Sequence, residues 1–145
     1  MRTVIEKVIF LQNVDVFSEV PTEQLASLAA IAREGSFEAE EGVYREEGAS
    51  DAMFLVVEGR VHLQRGATPV TTAGPREAFG TWALFDDEPR VATATALEPT
   101  EALRISRTDF LDVLADNVRV TEGVLKAIVR RLRALGRAVR GPAAG

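Results

Sequence analysis

A mainly β domain with helices at both ends is the fold class this sequence predicts, on three observations. Apolar residues recur at helical spacing only near the two ends of the chain. Between Gly35 and Ile105 that period gives way to short β-favouring runs, punctuated by Gly42, Gly48, Gly59, Gly66, Gly74, Pro75 and Pro99. A length of 145 residues fits one domain, long enough to bury its own core without staples. The predicted order is helices, then a β-roll, then helices.

The first helix spans 3–13, where Val4, Ile5, Val8, Ile9 and Leu11 fall at helical spacing. The second spans 21–33. Pro21 suits a first helical position, whose N–H is orphaned anyway, and Leu25, Leu28, Ala29 and Ala32 share one face. Gly35 stands where a helix end favours glycine. The β-roll occupies 36–105, with runs at 36–38, 43–45, 52–57, 60–64, 70–72, 92–96 and 101–105. Glu58 and Gly59, between two of these runs, read as a tight hairpin turn. Many short strands at this spacing suggest a sandwich or barrel. Ser106 and Asp109 form a capping-box-like start for a helix over 107–114 that buries Phe110, Leu111 and Leu114. A last helix over 118–137 carries Val120, Val124, Ile128, Leu132 and Leu135, with Val139 continuing the stripe. One domain over 1–139 and a flexible tail over 140–145 account for the chain, without an internal repeat or a linker.

Composition narrows the chemistry. The absence of cysteine excludes a disulfide framework, a thiolate metal site and a cysteine nucleophile. One histidine, His62, cannot build a multi-histidine metal site, and no serine sits in a G-x-S-x-G context. His62 alternates with Val61 and Leu63 along a strand and is expected to face outward. The apolar runs 28–32 and 54–57 are far too short to span a bilayer. Glu6 and Lys7 interrupt the N-terminal apolar stretch, unlike a signal peptide. The expectation is a cytoplasmic protein without a membrane span. The net charge of −5 is unevenly placed: seven of the 17 basic residues lie beyond residue 118, with one acidic residue, Glu122. An acidic body argues against a nucleic-acid surface there. The arginines of the last helix read either as a contact for acidic partners or as a solvated face near a helix C-terminus.

Residues 79–92 carry the one segment too specific for filler. Gly80 permits close backbone approach. Thr81 to Leu84 can open a short helical turn whose first N–H groups are free. Arg90, after Pro89, can place a guanidinium over that turn, giving an anion cradle. The alternative is a plain loop in which Arg90 pairs with Asp86, Asp87 or Glu88. Those three adjacent carboxylates read as a solvated turn, not a metal site. Trp82 can stack on a base, plug the pocket or anchor the segment by burial, and burial is the usual use of a large aromatic.

Several blocks together resemble the cyclic-nucleotide-binding domain, the β-roll module of catabolite activator proteins, cyclic-nucleotide-dependent kinases and gated channels. They are residues 10–17 (FLQNVDVF), 41–48 (EGVYREEG), 51–61 (DAMFLVVEGRV), 79–84 (FGTWAL) and 89–92 (PRVA). The resemblance covers about 8–135. It implies an eight-stranded double-sheet β-roll, a jelly-roll-like barrel, followed by helices. It also implies that Arg90 pairs with a cyclic phosphate and that Gly80, Ala83 and Leu84 belong to the turn surrounding phosphate and ribose. The implied ligand set is Gly80, Thr81, Trp82, Ala83, Leu84, Arg90, Val91 and Ala92. The implied ligand is cAMP or cGMP, with no metal and no further cofactor.

Two positions depart from the family pattern. Thr81 stands where a glutamate accepts the ribose 2′-hydroxyl, and Val91 stands where a serine or threonine donates to the phosphate. A hydrogen bond to a charged group is worth about 1.5–3 kcal/mol. Losing the carboxylate therefore costs on the order of 10- to 100-fold in affinity. The resemblance thus implies a non-enzymatic regulatory module that senses a cyclic nucleotide weakly or not at all and signals through the helix over 118–137. That helix would pack on its own roll, on a twin in a homodimer or on an output domain. Catabolite activators continue into a helix-turn-helix domain. This chain stops soon after the helix, so DNA binding by this chain alone is not expected, and it reads as part of a larger protein or as the partner of a separate output protein. The alternative is a ligand-free structural or protein-interaction domain, favoured by Thr81, Val91 and the bulk of Trp82, and opposed by Gly80 and Arg90. A cupin-type enzyme needs a ligand cluster that one histidine cannot supply.

Overall fold

Strand β3 (Ala52–Glu58) is buried along its first six residues, and the fold is arranged around covering both of its faces. Met53, Leu55 and Val57 join a core shared with the helices. Ala52, Phe54 and Val56 join a second core between two sheets. The computed structural model describes residues 2–140, with side chains to Ala138. Residues 141–145, most of the expected tail, lie outside the described residues, as does the side chain of Val139.

Eight strands form two antiparallel four-stranded sheets. In the first the order is β1 (Arg33–Phe37), β8 (Thr100–Ser106), β3 and β6 (Ala78–Phe79). In the second it is β2 (Gly42–Tyr44), β7 (Thr93–Ala96), β4 (Val61–Arg65) and β5 (Thr68–Ala73). The architecture is the expected jelly-roll-like double sheet, without hydrogen-bonded closure into a barrel. Sequence patterning supplies no signal for β6, whose two residues are too few for a period.

The expected hairpin at Glu58 and Gly59 is not one. β3 and β4 belong to different sheets, and the turn carries the chain from one to the other. Gly59 is left-handed (φ 97°), and a side-chain carbon there would lie 2.4 Å from Thr100 Oγ1 and 2.7 Å from the Pro99 carbonyl. Close packing against the β7–β8 connection, and not hairpin geometry, requires this glycine. The hairpin in this region is β4–β5.

The first two helices begin later and end sooner than periodicity predicts, whereas the last two begin where predicted and run further. Helix α1 (Val4–Leu11) starts at a capping box between Thr3 and Glu6. Pro21 lies outside helix α2 (Leu25–Ile31), extended at ψ 142° before a 3-10 turn at Thr22–Gln24. Ala32 is already extended, and Gly35 pairs with Ala102 inside β1 instead of capping a helix. Ladder pairing with β8 overrides the local helical pattern there. Helix α3 (Arg107–Asp116) has the expected cap, with Ser106 Oγ accepting from the Asp109 N–H at 3.2 Å. It buries Phe110 and half-buries Leu114, but Leu111 is 48% exposed, contrary to expectation.

Asn117 then caps helix α4 (Val118–Arg140). Its Oδ1 accepts from the N–H groups of Arg119 and Val120 at 3.1 and 3.2 Å, while its Nδ2 donates to Gln24 and Ser27 of the α2 region. The apolar stripe of α4 divides in two. Val120, Val124 and Ala127 are buried against the N-terminal turns, whereas Leu125, Val129, Leu132 and Leu135 are exposed. Gly123 allows this close approach: a side-chain carbon there would lie 2.8 Å from both the Glu19 carbonyl and Val20 Cα. Replacing Gly123→Leu is expected to overpack this contact and lower unfolding free energy by about 1–3 kcal/mol in urea titrations. An unchanged midpoint would show that α4 does not dock there in solution.

Candidate functional site

Arg90 is placed by backbone bonds before its side chain does anything. Its N–H donates to the Gly48 carbonyl at 3.1 Å, and its carbonyl accepts from the Glu47 N–H at 2.8 Å. These bonds clip the β6–β7 segment to the β2–β3 loop. The guanidinium is then drawn inward, leaving the residue 6% exposed. Its Nη2 donates to the Ala52 carbonyl at 2.6 Å and its Nη1 to the Gly80 carbonyl at 3.4 Å. Its plane lies 3.9 Å from the ring centroid of Tyr44. Arg90 Nε is buried without an acceptor among the described residues. The expected alternative, an ion pair with Asp86, Asp87 or Glu88, is not formed.

Gly80 makes room for this arrangement. It is left-handed (φ 69°), and a side-chain carbon would lie 2.5 Å from Arg90 Nη1 and 3.4 Å from the Tyr44 hydroxyl. Gly80 caps the 3-10 turn Thr81–Leu84, whose first two amides donate to no described group. Arg107 Nη1 closes the back of the turn. It lies within 3.0 Å of the carbonyl oxygens of Ser50, Ala83 and Asp86, joining the turn, the β2–β3 loop and the start of α3.

A cleft of about 410 Å³ opens over these groups. Of the residues expected at the site, Gly80, Thr81, Trp82, Ala83, Arg90, Val91 and Ala92 line it. Leu84 does not. It is fully buried in the helical core, one residue before Phe85, whose ring meets Phe110 edge-on at 5.6 Å. The turn is too short for Leu84 to reach both core and cleft. Sequence reasoning missed Tyr44, Leu63, Val70 and Phe79, which also line the cleft. Tyr44 and Leu63 lie on strands from another part of the chain, and only the sheet packing brings them here. Alternation does place Leu63 inward, between half-buried His62 and Gln64, which bond to each other at 3.1 Å.

Trp82 is not the buried anchor that its size suggests. It is 51% exposed at the cleft rim, with Phe85 tilted against it and the Arg131 guanidinium 5.4 Å from its ring. Arg131 of α4 also pairs with Asp15 at 3.0 Å. Among the described residues no cluster of acidic or histidine side chains could hold a metal ion.

Among the described residues Arg90 is the one cationic side chain lining the cleft, and it is buried, while Asp86 and Glu88 also line it. Burial lowers the pKa of Arg90, opposed by the neighbouring Tyr44 and Asp51. Burial pushes the Tyr44 phenol above its ordinary value of 10.0, opposed by Arg90. The folded state therefore holds the phenol proton more tightly than the unfolded chain. This contribution to stability is present below the unfolded pKa and is lost as pH rises through the folded value. Tyr44 is the only tyrosine. Absorbance titration is expected to show one phenolate transition above the ordinary value, returning to it in urea. A native transition at or below the ordinary value would contradict the packed Tyr44–Arg90 pair.

Comparison with known proteins places this geometry. The sequence model of the cyclic nucleotide-binding domain matches residues 34–117, more than half of the chain. A CRP-like cAMP-activated global transcriptional regulator from Mycobacterium tuberculosis is 27% identical over 128 residues, covering 85% of this chain and 57% of the regulator. A cyclic AMP receptor protein from Thermus thermophilus is 38% identical over 87 residues, covering 57% of this chain and 40% of the receptor. The chain thus spans about half the length of these curated relatives. The crystal structure of the N-terminal domain of a transcriptional regulator from Streptomyces coelicolor is 30% identical, with a TM-score of 0.84, covering 89% of this chain and 96% of that one.

Proposed function

We propose that this chain, which belongs to the cyclic nucleotide-binding domain family, is a non-enzymatic regulatory module that takes a cyclic nucleotide weakly at Arg90 and signals through α4. The observation that carries the reading is the buried guanidinium whose Nε has no acceptor and which has no carboxylate within ion-pair distance. A buried cation is costly unless it is paired. A cyclic phosphate offers the missing charge and the missing acceptor together. The relatives support the ligand class, since one is named as cAMP-activated and another as a cyclic AMP receptor.

The departures set the strength of binding. Thr81 lines the cleft and accepts a hydroxyl only as a neutral group, so the ribose contact lacks charge assistance. The Val91 side chain is exposed and has no donor to offer the phosphate. The site accordingly works at higher ligand concentration than one bearing both groups.

The route to α4 runs through Trp82. It stands between the cleft and Arg131, so ordering of the 3-10 turn by a ligand bears directly on how α4 is held. The exposed half of the α4 stripe is the surface that receives the output. A second copy of the helix is the partner its apolar, helically spaced residues fit, and an output domain of a longer protein is the other occupant. No helix among the described residues is long and apolar enough to cross a membrane.

Two measurements test this reading. Calorimetric titration with cAMP and cGMP is expected to give saturable binding that Arg90→Ala weakens by about 100-fold or more. Binding that survives the substitution would remove Arg90 from the site, and absence of binding to the wild type up to millimolar ligand would favour the ligand-free interaction domain. In sedimentation, Leu132→Glu is expected to convert a dimer to a monomer, since Leu132 is 62% exposed and makes no core contact. An unchanged mass would move the output surface elsewhere.

A further inference from the structure

The Tyr44 hydroxyl has no assigned work. Its ring packs against Phe54 and Phe79 at centroid distances of 6.1 and 6.0 Å, and it carries the Arg90 guanidinium on its face. That explains an aromatic residue, but a phenylalanine would pack as well. Arg90 approaches the hydroxyl oxygen as a donor, and the hydroxyl's own proton is given to no described group, in a cleft where most side chains are apolar. Its oxygen lies close to Gly80, as the 3.4 Å distance from a side-chain carbon built there shows. Arg90 Nη1 lies against the same glycine, so the hydroxyl and the guanidinium meet beside the opening of the 3-10 turn.

Besides Tyr44, the side-chain donors that line the cleft are those of Ser50, Thr81, Trp82 and Arg90, whereas Phe79, Ala83, Val91 and Ala92 carry no hydrogen-bonding group. Arg90 Nε is buried and unpaired, and Tyr44 is half-buried beside that guanidinium, with its hydroxyl at the cleft.

We propose that Tyr44 is a ligand-contact residue whose hydroxyl donates to a non-bridging oxygen of the phosphate that Arg90 neutralises. Ring and hydroxyl then do separate jobs: the ring orients the guanidinium and the hydroxyl reads the anion. Because burial holds the phenol protonated, the donor is present throughout the neutral range. The inference rests on the reading of the cleft as a cyclic-nucleotide site, and its test separates the two.

The experiment is calorimetric titration of wild type, Tyr44→Phe and Arg90→Ala with cAMP, each accompanied by thermal unfolding without ligand. Tyr44→Phe keeps the ring beneath Arg90, so its unfolding midpoint is expected to match the wild type while its dissociation constant rises about tenfold or more. A purely structural tyrosine would move the midpoint and leave affinity alone. Equal affinity in wild type and Tyr44→Phe overturns the Tyr44 assignment and leaves the Arg90 site standing. A wild type that fails to bind overturns the site reading and the Tyr44 assignment with it. Should Tyr44→Phe prove unstable, Tyr44→Trp, which keeps an aromatic face but moves its donor, is expected to show the same loss of affinity. Full affinity in that variant would also overturn the assignment.

Discussion

The guanidinium of Arg90 lies inside the protein with backbone carbonyls and an aromatic face for company, and with no carboxylate within ion-pair distance. Much of the local structure exists to hold it so. Position 80 is glycine because its backbone is left-handed and any side chain there would displace the guanidinium. The β2–β3 loop bonds the backbone on either side of it. The Tyr44 ring lies beneath it, its centroid 3.9 Å from Arg90 Cζ. Each contact is modest, and together they keep a cation where water cannot reach its Nε. Desolvating a charge in this way costs several kcal/mol unless a partner arrives. A site held at that cost gains disproportionately when an anion enters.

The segment from Phe79 to Phe85 also links the two cores. Phe79 stacks on Phe54 in the inter-sheet core at 5.3 Å, and Leu84 and Phe85 pack into the helical core. The 3-10 turn between them is the shortest path from cleft to helices. Arg107 pins its carbonyl end, while its amide end has no donor bonds to the rest of the described protein. One end of the turn is thus tied to Arg107 and the other, through the Gly80 carbonyl, to Arg90. Trp82, within the turn, meets Arg131 of α4, which is anchored in turn to Asp15. Packed interiors transmit small displacements because they do not compress.

The sequence announces most of the strands and the segment 79–92 because both leave local marks: runs of β-favouring residues between glycines, and Gly80 and Arg90 in one short stretch. The choice of sheet for each strand leaves none. The Glu58–Gly59 turn looks like a hairpin because neighbouring strands usually pair, and only the position of β8 beside β3 sends β4 to the other sheet. The resemblance places Leu84 in the turn by its position in a motif, which says nothing of its side chain: a four-residue turn faces two ways, and its largest aliphatic side chain follows the core. Tyr44 was invisible for the opposite reason, since it reaches the site from a strand more than 40 residues away from Arg90. The α4 stripe was legible as a stripe. Its division into a docked part around Gly123 and an exposed part depends on the Glu19 and Val20 backbone, which no helical period reveals.

The central claim is that an anion entering above Arg90 is felt at the rim of the cleft. Trp82 is the only tryptophan, it lines the cleft and it touches α4 through Arg131, so its emission reports all three. Titration of the wild type with cAMP to millimolar concentration is the most direct measurement. A saturable change in Trp82 emission that follows occupancy is the expected result. A flat emission across the titration, with calorimetry silent over the same range, would contradict it.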